Sequence, residues 1–293
     1  MRFAAFRKDG AMGLAVAGAG GDYRGLMQGE AGYPGDLTAL VTGGAEALAG
    51  AGRALEGGAP VDLDAVELLP PLPNPGKIIC VGLNYADHSA ESGFAVPTYP
   101  TIFARFASSL IGHGAPILRP RVSDQLDYEG ELVAVIGRGG RHIPKASALD
   151  HVVAYSVFND GSVRDYQLKA PQWTVGKNFD GTGAFGPVLV TADELPPGCQ
   201  GLGIQTRLNG QVVQESNIDH LIFDVATLVS TLSEAFTLSP GDIIVTGTPS
   251  GVGLARKPPL WMKPGDVCEV EIERVGLLRN PVEDEAGRQR AAA

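Results

Sequence analysis

Tyr128-Glu129-Gly130-Glu131-Leu132-Val133-Ala134-Val135-Ile136-Gly137 reads as a strand, and the chain around it follows the same plan. The apolar run from Leu132 is short, valine-rich and closed by glycine, as a buried strand requires. Residues two apart on a strand share a face, so Glu129 and Glu131 can converge while Gly130 keeps the opposite face slim. Further strands are expected at Lys77–Gly82, Val152–Asn159 and Gly186–Thr191. Asn209-Gly210 between Ile204–Leu208 and Gln211–Glu215 is a strong two-residue hairpin signal. Near the C-terminus Cys268, Val270 and Ile272 alternate with Glu269, Glu271 and Glu273, the pattern of a half-exposed strand. Helices are few: a weak one near Ala45–Leu55, a short one around Tyr85–Ser92, and Val225–Phe236 capped by Asp224. The sequence therefore predicts an α+β, β-dominated fold.

Pro70-Pro71-Leu72-Pro73-Asn74-Pro75-Gly76 interrupts regular structure and divides the chain. Residues 1–69 are expected to form a small N-terminal α/β accessory domain, opened by a hairpin at Asp9-Gly10. Residues 70–76 read as the linker, 77–285 as the catalytic domain and 286–293 as a flexible tail, solvated character beginning near Glu283. With 293 residues there is room for one large domain and a small companion. Its 40 glycines and 21 prolines suit an architecture with many tight turns.

The formal charge of −10 argues against a nucleic-acid partner, which demands clustered Lys and Arg. No apolar run approaches the length needed to cross a bilayer, so no membrane role is expected. Three separated cysteines without a C-x-x-C pair fit a reducing cytoplasm and exclude a disulfide framework.

Three local patterns could carry chemistry. Two like carboxylates at Glu129 and Glu131 repel unless a positive charge lies between them, and hard cations take carboxylate oxygens. An exposed strand face would give the same E-x-E. Asp160 closes the apolar run Val152–Phe158, placed either as a third ligand or as the N-cap of the next helix. His88 and Glu91 are neighbours on a helix, where a carboxylate raises imidazole basicity; a surface contact is the bland alternative.

In this order the motifs resemble the fumarylacetoacetate hydrolase family, over roughly Ile78 to Val282. The resemblance rests on Gly82–Glu91, the Glu129/Glu131 pair, and Asn159-Asp160 followed by Ser162, Arg164, Asp165 and Gln167. It continues through Gly176-Lys177-Asn178-Phe179-Asp180, Phe185-Gly186-Pro187, Thr246-Gly247-Thr248-Pro249-Ser250-Gly251-Val252-Gly253 and Lys263-Pro264-Gly265-Asp266. It implies a mixed β-roll enclosing a Mg²⁺ (or Mn²⁺) site, usually in a homodimer. The implied ligands are Glu129, Glu131 and Asp160; the implied catalytic residues are His88, Glu91 and Lys177. Arg164, Gln167 and Thr248 match positions that line the substrate cleft. Two departures stand out. Phe103-Ala104-Arg105-Phe106 puts Arg105 where many relatives have the lysine of F-x-K-P, so a substrate contact is expected from an arginine without its proline. The late I-E-G-I-G pattern becomes Ile272-Glu273-Arg274-Val275-Gly276, which touches the scaffold.

The implied activity is metal-dependent hydrolysis of a carbon–carbon bond in a 2,4-dioxo acid. His88 supported by Glu91 would activate water, and the cation with Lys177 would hold the enolate that leaves. The same enolate arises in decarboxylation of an oxaloacetate-like acid or isomerisation of a hydroxydienoate. A metal-stabilised binding protein without turnover would be expected to lose one of these residues. His113, His142, His151 and His220 read as structural or unpartnered, and Trp173 and Trp261 as core or interface anchors. Gly247, Gly251 and Gly253 match no nucleotide-binding spacing. Lys77–Asp180 holds ten basic and ten acidic residues, so a bound divalent cation would make that stretch net positive and an acidic chain can keep a locally cationic pocket for an anionic 2-oxo acid.

Overall fold

A computed structural model of the chain describes residues 1–18, 20–91 and 95–286, without the side chains of residues 88–90. The N-terminal part contributes β1 (Arg2–Lys8), β2 (Ala11–Ala17), β3 (Tyr23–Met27), α1 (Leu37–Thr42), α2 (Gly44–Glu56), β4 (Ala59–Val61) and β5 (Glu67–Leu68). After the proline segment come β6 (Ile78–Gly82), α3 (Ala86–Glu91), β7 (Thr101–Arg105), β8 (Leu110–Ile111), β9 (Ile117–Arg119), β10 (Leu126–Asp127) and β11 (Gly130–Ile136). β12 (Val152–Asp160), β13 (Ser162–Val163), α4 (Arg164–Gln167) and β14 (Gly183–Thr191) follow. The chain closes with β15 (Gly203–Leu208), β16 (Gln211–Asn217), α5 (Val225–Ala235), β17 (Ile243–Val245), β18 (Val267–Ile272) and β19 (Gly276–Asp284).

The larger sheet runs β4-β3-β2-β1-β14-β12-β11-β17-β6-β7, and a second runs β16-β15-β18-β19-β9. Most pairs are antiparallel, but β17–β6, β14–β8 and β19–β9 are parallel, so both sheets are mixed. The stretch Leu132–Ile136 is apolar throughout because both of its faces are covered. Leu132, Ala134 and Ile136 pack toward the second sheet and α5, whereas Val133 and Val135 join a cluster with Phe3, Leu14 and Leu48. Strand, not helix, is the form in which five consecutive apolar residues divide between two cores.

Local signals behave as their chemistry requires. Asn209 and Gly210 both take positive φ (54° and 78°), the left-handed pair that a two-residue hairpin needs. Asp224 caps α5 by accepting from the Thr227 amide at 2.7 Å, and Val225, Leu228, Val229 and Leu232 form its buried stripe. In β18 Cys268, Val270 and Ile272 are buried, with Glu269 and Glu271 on the other face.

Two expectations need correction. Asp160 caps nothing: α4 begins after Val163 with no side-chain cap, and Asp160 is the fully buried end of β12. The free tail does not begin at Glu283, because Val282, Glu283 and Asp284 pair with Ile117, Leu118 and Arg119. The proline segment lacks regular structure as expected, yet Pro71 and Leu72 are buried within it. No helix among the described residues is long and apolar enough to cross a membrane.

Candidate active site

β11 and β12 bring the acidic residues together. Gly130 pairs with Asn159 and Glu131 with Phe158, so the start of one strand lies beside the end of the other. The Asp160 amide donates to the Glu129 carbonyl at 2.8 Å, and the Asn159 side chain accepts from the Glu129 amide at 3.0 Å. Gly130 is required by close approach: a Cβ there would sit 2.3 Å from Thr206 Oγ1 and 2.9 Å from Val270, on the second sheet. Glu129, Glu131 and Asp160 thus converge, all buried, each with an oxygen within 4.8 Å of the others.

Three buried cations surround them. Lys177 Nζ donates to Glu129 Oε2 at 2.6 Å and to Asp160 Oδ2 at 2.7 Å. Arg164 pairs through Nη1 with Glu129 Oε1 at 2.7 Å and through Nε with Asp127 Oδ2 at 2.8 Å. Arg105 pairs with Asp160 Oδ1 and also donates to the Gly161 carbonyl at 3.1 Å and Thr182 Oγ1 at 2.8 Å. Four buried carboxylates (Asp127, Glu129, Glu131, Asp160) therefore face three cations, and one negative charge is left over. With all four ionised it would fall on Glu131, which accepts from the Gly247 amide and has no basic partner among the described residues.

The titration of the groups follows this imbalance. Burial, then the Asp160 and Glu129 charges, push the Glu131 carboxyl well above its ordinary value. Burial alone would lower Lys177, but Asp160 and Glu129 outweigh it and push the ammonium up, so it stays charged. Arg164 is raised in the same way, by Glu129 and Asp127 against its burial. A surplus buried negative charge among converging oxygen ligands is what a hard divalent cation would neutralise, so the residues present fit such an ion.

A cavity of 420 Å³ opens onto this cluster. Glu129, Glu131, Arg164, Gln167, Lys177 and Thr248 line it, which brings most of the residues singled out in the sequence to one place. Arg164 Nη2 is buried without a hydrogen-bond partner. Gln167 Oε1 accepts from Arg164 Nη1 at 2.9 Å, and Thr248 Oγ1 accepts from Gln214 Nε2 at 2.8 Å. Glu91 reaches the rim of the cavity, where its carboxylate accepts from the Gly251 amide at 2.9 and 3.0 Å. The side chain of His88, its expected partner, lies outside the described residues. Arg105 is not on the cavity wall; it is turned inward, with its donors given to Asp160, Gly161, Thr182 and Ser109. Arg105 thus holds one carboxylate of the cluster, a role the sequence reading did not give it.

Sequence reasoning missed Asp127, Gln214, Trp173 and Lys257. Asp127 is fully buried and accepts from Arg164, Gly253 and Leu254. Gln214 accepts from the Gly130 amide at 3.0 Å while donating to Thr248, linking strand and loop. Trp173 forms a wall of the cavity with Phe103, ring centroids 5.6 Å apart, and packs so closely on Gly82 that a Cβ there would lie 2.3 Å from the indole. The only signal for Trp173 was its place four residues before Lys177. Of the histidines, His151 is fixed on the Arg138 carbonyl at 2.8 Å and His220 lies 3.2 Å from Ser216 Oγ.

Residues 77–283 match the sequence profile described as fumarylacetoacetate (FAA) hydrolase C-terminal. Among curated proteins, the mitochondrial oxaloacetate tautomerase fahd2 of Xenopus laevis is 47% identical over 219 residues, covering 74% of this chain and 68% of its own length. The chain superposes on fumarylacetoacetate hydrolase from Exiguobacterium antarcticum with a TM-score of 0.85 and 37% identity, over 97% of this chain and 100% of that one. It also resembles fumarylpyruvate hydrolase from Pseudomonas aeruginosa, solved with Mn²⁺ and pyruvate, at a TM-score of 0.66 and 34% identity over 75% and 92% of the two chains.

Proposed function

The chain belongs to the fumarylacetoacetate hydrolase family, and from that premise we propose that it is a Mg²⁺- or Mn²⁺-dependent enzyme that interconverts the keto and enol forms of an oxaloacetate-like 2-oxo acid. The observation that carries the reading is the buried Glu129–Glu131–Asp160 cluster with one charge in excess, facing a cavity that also holds Lys177 and Arg164. Glu129, Glu131 and Asp160 would hold the cation, which when bound supplies a Lewis acid that favours an enolate. Arg164 Nη2, unpartnered while the other guanidinium nitrogens are engaged by Asp127, Glu129 and Gln167, would serve a substrate carboxylate. Lys177 stays protonated and acts by its charge, adding a fixed positive field beside the developing oxyanion. Thr248 Oγ1 accepts from Gln214, which leaves its own proton for a substrate oxygen. His88 and Glu91 are the acid–base pair proposed to move the proton at C3.

Hydrolysis of a 2,4-dioxo acid is the second reading, supported by the likeness to fumarylpyruvate hydrolase. It uses the same enolate-stabilising residues but needs an attacking water activated by His88 and Glu91. Keto–enol interconversion stands first because Lys177, Arg164 and the carboxylate cluster supply its electrostatics without that water. A decarboxylase of the same acid would differ only in the bond that gives up its electrons to the enolate.

One preparation separates these readings. It is mixed with freshly dissolved enol oxaloacetate and with fumarylpyruvate, each with Mg²⁺ and with chelator. Metal-dependent loss of the enol signal without matching pyruvate is expected. Fumarate and pyruvate from fumarylpyruvate would favour hydrolysis, and pyruvate from oxaloacetate would favour decarboxylation. No metal-dependent change with either substrate would remove the proposal.

A further inference from the structure

Resting on that reading of the cavity, we propose that Lys257 selects substrates that carry a second carboxylate, so that the preferred ligand is a 2-oxo dicarboxylic acid. Lys257 lines the cavity, its side chain is exposed, and no ion pair or hydrogen bond of its ammonium occurs among the described residues. The other two cations on the cavity wall are differently committed. Lys177 gives its ammonium to Glu129 and Asp160, and Arg164 keeps one buried nitrogen open. The lining therefore includes a buried guanidinium with one unpaired nitrogen, at Arg164, and an exposed ammonium, at Lys257. The same lining includes Val252, Leu254 and Trp173, so apolar surface accompanies the charged groups.

The segment that carries Lys257 is held in place. Gly253 and Leu254 donate their amides to Asp127 at 2.7 and 2.9 Å, and the Leu260 amide closes the segment on the Gly253 carbonyl at 3.0 Å. Arg256, the neighbouring residue, donates to Tyr128 Oη, the Gly251 carbonyl and the Val213 carbonyl. Asp127 is also the carboxylate that fixes Arg164 Nε. One buried side chain thus anchors both the Arg164 guanidinium and the backbone at the start of the segment that carries Lys257.

Lys257 is exposed, so its effect is that of a rim charge: about fivefold in affinity at low ionic strength, shrinking as salt is added. The substrates compared are fumarylpyruvate and acetylpyruvate, which share the dioxo acid head and differ in that the first carries a distal vinyl carboxylate and the second a methyl. In Lys257→Met of the full chain, the ratio of kcat/KM for fumarylpyruvate over acetylpyruvate is expected to fall about fivefold, mainly through KM. Lys257→Arg should restore it. An unchanged ratio, or equal losses on both substrates, would overturn the assignment. Calorimetric binding of 2-oxoglutarate against 2-oxopentanoate, in the Mn²⁺-loaded protein, keeps the test independent of turnover. Wild-type preference for 2-oxoglutarate that disappears in Lys257→Met supports the assignment even where both dioxo acids prove inert and the proposed reaction fails. Equal binding of the two acids to the wild type, or binding of neither, overturns it.

Discussion

Lys177 separates two buried carboxylates, Glu129 and Asp160, that would otherwise face each other. In metal-free protein Lys177→Met should cost about 3–5 kcal/mol, because Glu129 and Asp160 each lose one of two buried cations and a further buried charge is left uncompensated. Urea denaturation in chelator measures this, and an unchanged midpoint would show that Lys177 does not balance the cluster. Arg105 holds Asp160 by a guanidinium that also reaches Gly161 and Thr182, a span that an ammonium does not have. It is a positioning residue, and Arg105→Lys is expected to weaken Mn²⁺ binding about 10–100-fold in a calorimetric titration; unaltered affinity would contradict that role. His88→Ala should slow keto–enol conversion about 10²–10⁴-fold without changing Mn²⁺ affinity; a rate equal to wild type would remove His88 from the chemistry. The acidic cluster was legible in the sequence because E-x-E on a strand and an acid at a strand end are local patterns. Asp127 was not, since its partners Gly253 and Leu254 lie 126 and 127 residues away. The hold of Arg105 on Asp160, Gly161 and Thr182 was not legible either, since these acceptors lie 55, 56 and 77 residues away.

At the scale of elements, α5 offers the clearest test of local chemistry. Asp224→Ala removes the cap on the Thr227 amide and should cost about 1 kcal/mol. Burial pushes the Asp224 carboxyl up, but the Thr227 hydroxyl and amide and the Lys145 ammonium outweigh it, so the group sits below its ordinary value. Its contribution is accordingly present above the unfolded carboxyl value of about 4, and is lost as the pH falls through the lower folded value. The difference in stability between wild type and Asp224→Ala should therefore vanish in acid; a constant difference from neutral pH downward would contradict the capping account. This helix, the Asn209-Gly210 hairpin and the alternating strand at Cys268–Ile272 were readable because capping, turn geometry and periodicity act over a few residues. The full length of β14 was not, because Gly183, Ala184 and Phe185 enter the strand by pairing with Asp160, Asn159 and Phe158. Nothing local in those residues demands that pairing.

Across the whole molecule, the N-terminal strands join the central sheet through β1, where Arg2 pairs with Val190 and Phe3 with Leu189. Phe3 and Leu14 share a cluster with Phe158, Phe185 and Leu189. Division of the chain at Pro70–Gly76 is therefore a proposal about folding units, and the shared core favours one cooperative transition for residues 1–69 and 77–285. Calorimetry of the full chain should show a single peak; two separable transitions would establish independent units. The overall charge of −10 coexists with a neutral stretch from Lys77 to Asp180, and in the folded protein that stretch supplies four buried carboxylates and three buried cations at the site. Sequence counting found the neutrality, but only the fold concentrates it at one cavity and leaves the excess charge on Glu131. Enolisation by this site is measured most directly as deuterium incorporation at C3 of oxaloacetate in D₂O, followed by NMR with Mg²⁺. Wild type should exchange well above the buffer rate, and Glu131→Gln or added chelator should return exchange to that rate. Exchange at the buffer rate in the Mg²⁺-loaded wild type, or equal acceleration in Glu131→Gln, would contradict an enolate-stabilising metal centre.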